Sequence, residues 1–434
     1  MKNGIIVFKQ SFDNYNLTEI EKTASELSLA GFKVDYLEFV KTDDKAFFLN
    51  SFVGMRNTCA NVFIIGGERA EFDAKAEICY ELQVELRRYA DVELKNVIQN
   101  DDYDTSAEDF IKKDSKGFYD KPESESERKS AKAKKHESEF RILPKGSVAI
   151  QNEKGENGGF VIDETDFCVL YLSSASDDLQ FMMKKFVIPF LTSKYGIDLK
   201  RTTLKYCGDS EGIKKTLEEA KEIAEKGFSY NLIENYGDFK IELAFQNHTE
   251  QQARGVIRYI LSKHYEDIYA EQDEPIEERL FDILKLKKLR LSTAESFTGG
   301  SVIFNVIKNS GASNVVSEGI VCYSNESKIE RLGVRLQDIQ RLGAVSSEVA
   351  YQMAVGLLKG GQCDVAIAST GIAGPKSDDS EKPVGLCYIA IGTKRCVHTY
   401  KFNLKGDRKR ITETAKNYAL FLAIKNLKKY NEEI

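Results

Sequence analysis

Short apolar runs alternate with longer stretches of helical spacing along most of the chain. "GIIVF" (4–8) reads as a buried strand, "LTEIEKTASELSLAGF" (17–32) places its apolar residues three and four apart as one helix face does, and "KVDYLEFV" (33–40) and "NVFIIGG" (61–67) read as further strands. Strand and helix in alternation predict a parallel sheet. Residues 121–139 are mostly charged and contain no Val, Ile, Leu or Phe, so this stretch is expected to be a solvated loop. "SVAIQNEKGENGGFVID" (147–163) then predicts two strands around a Gly/Asn-rich connection, "FCVLYL" (167–172) a buried strand, and "LQFMMKKFVIPFL" (179–191) a helix closing the first domain near Ser193.

Residues 194–271 read as strand, helix, strands and helix, which predicts two helices on a small antiparallel sheet. From "DEPIEERLFDILKLKK" (273–288) the α/β pattern returns. Pro275 suits a first helical turn, the strands "LRLST", "GIVCYS", "DVAIAST" and "LCYIAIG" follow, and "ITETAKNYALFLAIKNLKKY" closes the chain as an amphipathic helix. The expected fold class is therefore α/β: two α/β domains, 1–193 and 272–434, joined by a small α+β connector, 194–271.

A chain of 434 residues exceeds one ordinary core, which agrees with that division. Its formal net charge of -6 gives no general attraction for a phosphate backbone, so no nucleic-acid partner is expected. No run approaches the roughly 18 apolar residues of a membrane helix, and "MKNGIIVFKQ" lacks a signal-peptide core and cleavage site. No membrane association is expected, and the cytoplasm is the expected compartment. The eight scattered cysteines form no CxxC pair and read as reduced thiols. With four histidines in the chain, and only His398 in the C-terminal domain in a separate strand, a hydrolytic site here has to move protons without imidazole.

Three segments concentrate chemistry. In "STAESFTGGS" (292–301) a strand gives way to a loop and a helix start, where outward amides beside Gly299 and Gly300 can seat one phosphate or carboxylate, and Glu295, Ser296 and Thr298 can cap the helix or contact that ligand. In "SGASNVVSEGIVCYSNESK" (310–328), Ser313 follows a Gly-Ala turn, and Tyr323, Asn325 and Lys328 gather where a strand meets a helix. A serine hydroxyl needs a neighbour to take its proton; a desolvated lysine or a tyrosine can do so, and the choice between Lys328 and Tyr323 stays open. In "ASTGIAGPKSDDSEKPVG" (368–385), Thr370, Gly371, Ala373 and Gly374 form a small-residue loop at a strand's carboxyl end, where α/β sheets bind ligands.

In order and spacing, "TAESFTGG", "GASNVVSEGIVCYSNESK", "RLGAVSSEVAYQMAVG", "TGIAGP", "EKPVG" and "GDR" resemble the C-terminal domain of the CinA family, also found alone as the PncC-type nicotinamide mononucleotide deamidase. The resemblance implies an amidohydrolase that converts nicotinamide mononucleotide, or a related small nucleotide, to the acid and ammonia. It also implies a nucleophilic Ser313 assisted by Tyr323 and Lys328, no cofactor at this site, and a homodimer. Phe297 stands where the family usually has cysteine and is expected to reshape the pocket, and the acidic residues of 376–381 are expected to repel phosphate. More faintly, the first domain resembles the family's molybdopterin-binding-like domain, which is associated with a metal-dependent pyrophosphatase acting on ADP-ribose-type substrates. Its phosphate and acidic boxes are eroded to "FKQSFD" and "IIGGERAEFD", leaving Gly66, Gly67 and Asp73, so no divalent metal is expected there. A catalytically silent scaffold is the alternative from another class.

Overall fold

The computed structural model describes residues 1–9, 14–67, 70–88, 142–150, 152, 158–172, 176–376 and 382–429. The charged stretch 121–139 and residues 377–381 lie outside them. Contacts divide the chain into two compact units, one of residues 1–200 with 244–248, the other of 201–243 with 249–434.

In the first unit, strands β1 (Asn3–Lys9), β2 (Val34–Lys41) and β3 (Asn61–Ile65) alternate with helices α1 (Asn14–Leu29), α2 (Lys45–Arg56) and α3 (Ala74–Leu82). A two-strand ribbon of β4 (Leu86–Arg88) and β5 (Ile142–Pro144) follows, then β6 (Val148–Ile150), β7 (Gly159–Asp163), β8 (Cys168–Leu172) and a long helix α4 (176–194). The main sheet runs β2-β1-β3-β8-β7-β6, parallel through β8 and antiparallel beyond it. Every residue of β3 and β8 is buried because both sheet faces are covered. Ile20 and Leu27 of α1 pack with Leu179 and Leu191 of α4 on one face, and Phe48, Phe52 and Ile78 of α2 and α3 pack on the other. Gly66 and Gly67 leave β3 at positive φ, +87° and +92°, and Asp73 accepts from the amides of Lys75 (3.0 Å) and Ala76 (3.2 Å). The residues that resemble remnants of a phosphate loop thus serve as a turn and a helix cap.

The second unit holds most of the sheet β10-β11-β9-β12, formed by β9 (Leu199–Cys207), β10 (Phe228–Asn235), β11 (Asp238–Gln246) and β12 (Ile268–Ala270) and accompanied by α5 (Ser210–Ala224) and α6 (Glu250–His264); residues 199–200 of β9 and 244–246 of β11 are counted with the first unit. Its larger part is built from α7 (Ile276–Lys287), β13 (Leu291–Glu295), α8 (Ser301–Ile307), β14 (Val316–Val321), α9 (Asn325–Leu332), α10 (Leu336–Leu342), α11 (Ser347–Lys359), β15 (Val365–Gly371), β16 (Leu386–Thr393), β17 (Val397–Asn403) and α12 (Arg408–Lys429). The sheet order is β14-β13-β15-β16-β17, with β14, β13 and β15 parallel and the last two strands antiparallel. Leu280, Val302 and Leu420 of α7, α8 and α12 cover one face, while Leu332, Ile339 and Met353 of α9, α10 and α11 cover the other. The expected α/β class is the observed one. Among the described residues no helix is long and apolar enough to cross a membrane.

Register determines where this sheet can hold a site. Glu295 at the end of β13 sits opposite Val321 at the end of β14 and Ser369 near the end of β15. The residues that follow therefore emerge together at the carboxyl edge of three parallel strands.

Helix α9 is held to α11 by close backbone approach. A Cβ on Gly356 would lie 2.2 Å from the Leu332 carbonyl oxygen. Gly356→Ala is expected to destabilise the protein by about 1–3 kcal/mol, as overpacking does, measured as a lower urea midpoint with unchanged slope.

Candidate active site

The loop after β13 is shaped from below by a buried carboxylate. Glu295, 0% exposed, accepts hydrogen bonds from the backbone N–H of Gly300 (2.9 Å), Val302 (3.1 Å) and Ile303 (2.9 Å) and from the Thr293 hydroxyl (3.1 Å). These are amides at the start of α8, so the anion they attract is already supplied by the chain. This corrects two expectations together: the amides of Gly299, Gly300 and Ser301 are bonded within the chain and form no open phosphate seat, and Glu295 presents no free oxygen to a substrate. Gly299 and Gly300, at φ +63° and +93°, allow the chain to wrap around that carboxylate.

Ser296 follows directly. Its amide donates to the Ser369 carbonyl (3.0 Å), and the Cys322 amide donates to the Glu295 carbonyl (2.8 Å), so the loop is fastened to both neighbouring strands. Beyond β14 the chain turns at Ser324, whose hydroxyl accepts from the Ser327 amide (3.1 Å) and caps α9. This tight turn brings Lys328, one turn into α9, back beneath the strand end. The Lys328 side chain is only 1% exposed, and its Nζ donates to the carbonyls of Cys322 (2.9 Å) and Tyr323 (3.1 Å) and lies 3.3 Å from the Ser296 hydroxyl. Burial pulls its pKa below the ordinary lysine value, while Cys322 and Glu326 act in the opposite direction more weakly.

This geometry bears on the protonation state. A neutral amine has two N–H donors and one lone pair, whereas an ammonium has three donors and none. Two carbonyls take two donors, and the third direction points at a hydroxyl. A deprotonated Lys328 therefore offers its lone pair to Ser296.

The expected grouping of Ser313 with Lys328 is not found. Ser313 lies exposed in a 3-10 turn (Ala312–Asn314) just before β14, and β14 begins at Val316, opposite Leu291 at the start of β13. A six-residue strand at about 3.3 Å per residue separates that end from the site, so Ser313 is on the far edge of the sheet. It makes no hydrogen bond to Lys328 or Tyr323 among the described residues. Tyr323 contributes its carbonyl, but the residue is 67% exposed. Asn325 is exposed at the start of α9.

The remaining expected contacts are partly structural. The Thr298 and Ser369 hydroxyls lie 2.7 Å apart, both buried, beside the Ser296 loop. Thr370 donates to the Ala344 carbonyl (2.9 Å), and the Gly374 carbonyl accepts from Arg408 of the "GDR" motif (2.6 Å). Gly371 leaves room for the Phe297 ring: a Cβ there would come within 2.9 Å of that ring and 2.5 Å of Cys387 Cβ. Phe297 packs with Ala373, Cys387, Ile411 and Ala415, so its bulk goes into the core. The backbone N–H groups of Phe297 and Thr298 bond to no acceptor among the described residues. Ser369 and the Cys322 carbonyl were not anticipated; the hydroxyl pair "ST" at the end of "DVAIAST" is the signal that marks Ser369.

Residues 273–427 match the CinA C-terminal domain. The chain is 35% identical over 297 residues to a CinA-like protein of Fusobacterium nucleatum, covering 66% of this chain and 70% of that protein. It is 32% identical to a CinA-like protein of Kosmotoga olearia over 284 residues, 64% of this chain and 68% of the relative. Among solved structures, the competence/damage inducible protein of Agrobacterium tumefaciens is 35% identical and matches 35% of this chain and 93% of its own, with a TM-score of 0.34.

Because the folded chain holds Lys328 below the ordinary lysine value, the unfolded chain binds more protons between those two values, and stability should rise with pH across that window. Lys328→Met removes the titration. Urea midpoints at neutral and alkaline pH should show wild type gaining on the variant as pH rises; parallel behaviour would contradict a desolvated amine. Glu295→Ala should cost at least about 2 kcal/mol, because it strands buried amides.

Proposed function

Since the chain belongs to the CinA family, we propose that its C-terminal part is an amidohydrolase in which Ser296 is the nucleophile and Lys328 the base. The observation that carries this reading is the buried Lys328 amine, bound by two carbonyls and facing the Ser296 hydroxyl at 3.3 Å. A neutral lysine beside a serine can replace histidine as proton acceptor.

In this reading Ser296 Oγ attacks the carbon of a carboxamide as its proton passes to Lys328. The carbonyl oxygen becomes an anion, and the backbone N–H groups of Phe297 and Thr298, immediately after the nucleophile, are free to receive it. Lys328 returns the proton to the departing nitrogen, releasing ammonia and leaving an ester on Ser296. Water then gives its proton to Lys328 and attacks the ester carbon; as the ester bond breaks Lys328 hands that proton to the departing Ser296 Oγ, which frees the acid and restores the serine and the neutral amine. The reading takes nicotinamide mononucleotide as substrate and nicotinate mononucleotide as product. The amide chemistry rests on this chain's own residues; the nucleotide half rests on the family. Since the α8 amides are spent on Glu295, the phosphate must find other donors.

A silent scaffold has no use for a lysine buried under a serine, since burying an amine costs stability. The enzyme reading is the better supported for that reason.

Ammonia release from nicotinamide mononucleotide tests it. Ser296→Ala and Lys328→Met are each expected to lose about 10³-fold or more in kcat/KM, the scale of losing a nucleophile or its base. Ser313→Ala should stay within about twofold of wild type, as surface changes do. Wild-type kcat/KM should rise with pH, about tenfold per unit below the lowered Lys328 pKa, and then level off. Full activity in Ser296→Ala would remove the proposal.

A further inference from the structure

The loop that carries Ser296 is held from both faces of its sheet, and only one of them takes part in the reaction above. Lys328 reaches the loop from α9, on the face covered by Leu332, Ile339 and Met353. On the opposite face lies a buried pair of hydroxyls to which that reaction gives no task. Ser369, 0% exposed, sits opposite Glu295 in the β13–β15 pairing, so its side chain projects to the same face as the Glu295 carboxylate, toward α8. There its hydroxyl lies 2.7 Å from that of Thr298, 5% exposed.

Ser369 therefore touches the loop twice. Its carbonyl accepts from the Ser296 N–H at 3.0 Å, and its hydroxyl bonds Thr298 two residues further on. Between these two ties lie the peptide groups of Phe297 and Thr298, whose N–H donors have no acceptor among the described residues. A peptide plane pivots only about its flanking φ and ψ, so fixing the chain on both sides fixes where those donors point. Any residue could supply the carbonyl tie, and Val365 and Ile367, which share this face of β15, belong to the apolar core. The buried hydroxyl needs a reason of its own, since it costs stability unless it is paired.

We propose that Ser369 is a positioning residue for the Ser296 site: through Thr298 it aims the N–H groups of Phe297 and Thr298 at the oxygen that turns negative when a carboxamide is attacked. The inference rests on the amidohydrolase reading above. Charge develops on that oxygen only on the way to the transition state, so loosening the donors slows the chemical step and leaves substrate binding as it was.

Steady-state ammonia release from nicotinamide mononucleotide tests this, at a temperature where each variant is shown by urea titration to be fully folded. Ser369→Ala should lower kcat by about ten- to a hundredfold with KM within about twofold of wild type, the scale of a reacting group held out of place. Thr298→Val keeps the shape, removes the hydroxyl and should lose as much; Thr298→Ser should recover most of that loss. Because the two hydroxyls form one link, the double variant Ser369→Ala/Thr298→Val should be no slower than either single one. Ser369→Cys fills the serine's space with a weak donor and serves in place of the alanine variant should that one fail to fold. Full activity in Ser369→Ala, a raised KM at unchanged kcat, or losses that add in the double variant would overturn the proposal and leave Ser296 and Lys328 in their roles. A wild-type chain that releases no ammonia would overturn the reading of the site and this inference with it.

Discussion

An amine taken out of water needs other partners, and at Lys328 those partners are two backbone carbonyls and one hydroxyl. This constraint organises the C-terminal site. The carbonyls of Cys322 and Tyr323 are available only because the chain leaves β14 in a turn too tight to pair them within a sheet or helix. The helix that follows must start at once, with Ser324 as its cap, for the lysine to come back beneath the same carbonyls. On the facing side, Ser296 can meet the amine only while its loop is kept from drifting. That is the work of Glu295, whose carboxylate occupies the amides that would otherwise attract an outside anion. A charged group buried without a charged partner is tolerated because each of its oxygens is hydrogen-bonded.

The site thus follows from two buried groups, with the strands setting the distance between them. Parallel pairing places Glu295, Val321 and Ser369 in one row, so one residue further along each strand brings Ser296, Cys322 and Thr370 to the same edge. Small side chains at that edge have packing reasons as well as chemical ones: Gly371 admits the Phe297 ring, and the Gly374 carbonyl is held by Arg408.

Much of this was legible in the residues. Apolar runs located the strands of both α/β parts, and motif order pointed to the C-terminal segment, with Ser296 and Lys328 both inside the quoted motifs. The proposed nucleophile was not legible from spacing alone. Ser313 and Tyr323 are ten residues apart, which suits proximity in a helix or loop, but the intervening residues form β14, and a strand carries its ends apart. Glu295 was legible as a polar residue at a helix start, yet whether such a residue binds a ligand or replaces one depends on whether its carboxylate turns inward, which only packing decides. Phe297 looked like an obstruction for the same reason: its size is visible in the sequence, and its direction is not.

The most direct test of the central claim is to catch the reacting oxygen. Rapid acid quenching of the wild-type chain during turnover of nicotinamide mononucleotide, followed by peptide mass spectrometry, should locate an acyl adduct on the peptide containing Ser296 and on that serine. An adduct on Ser313, or sustained turnover with none on Ser296, would contradict the account.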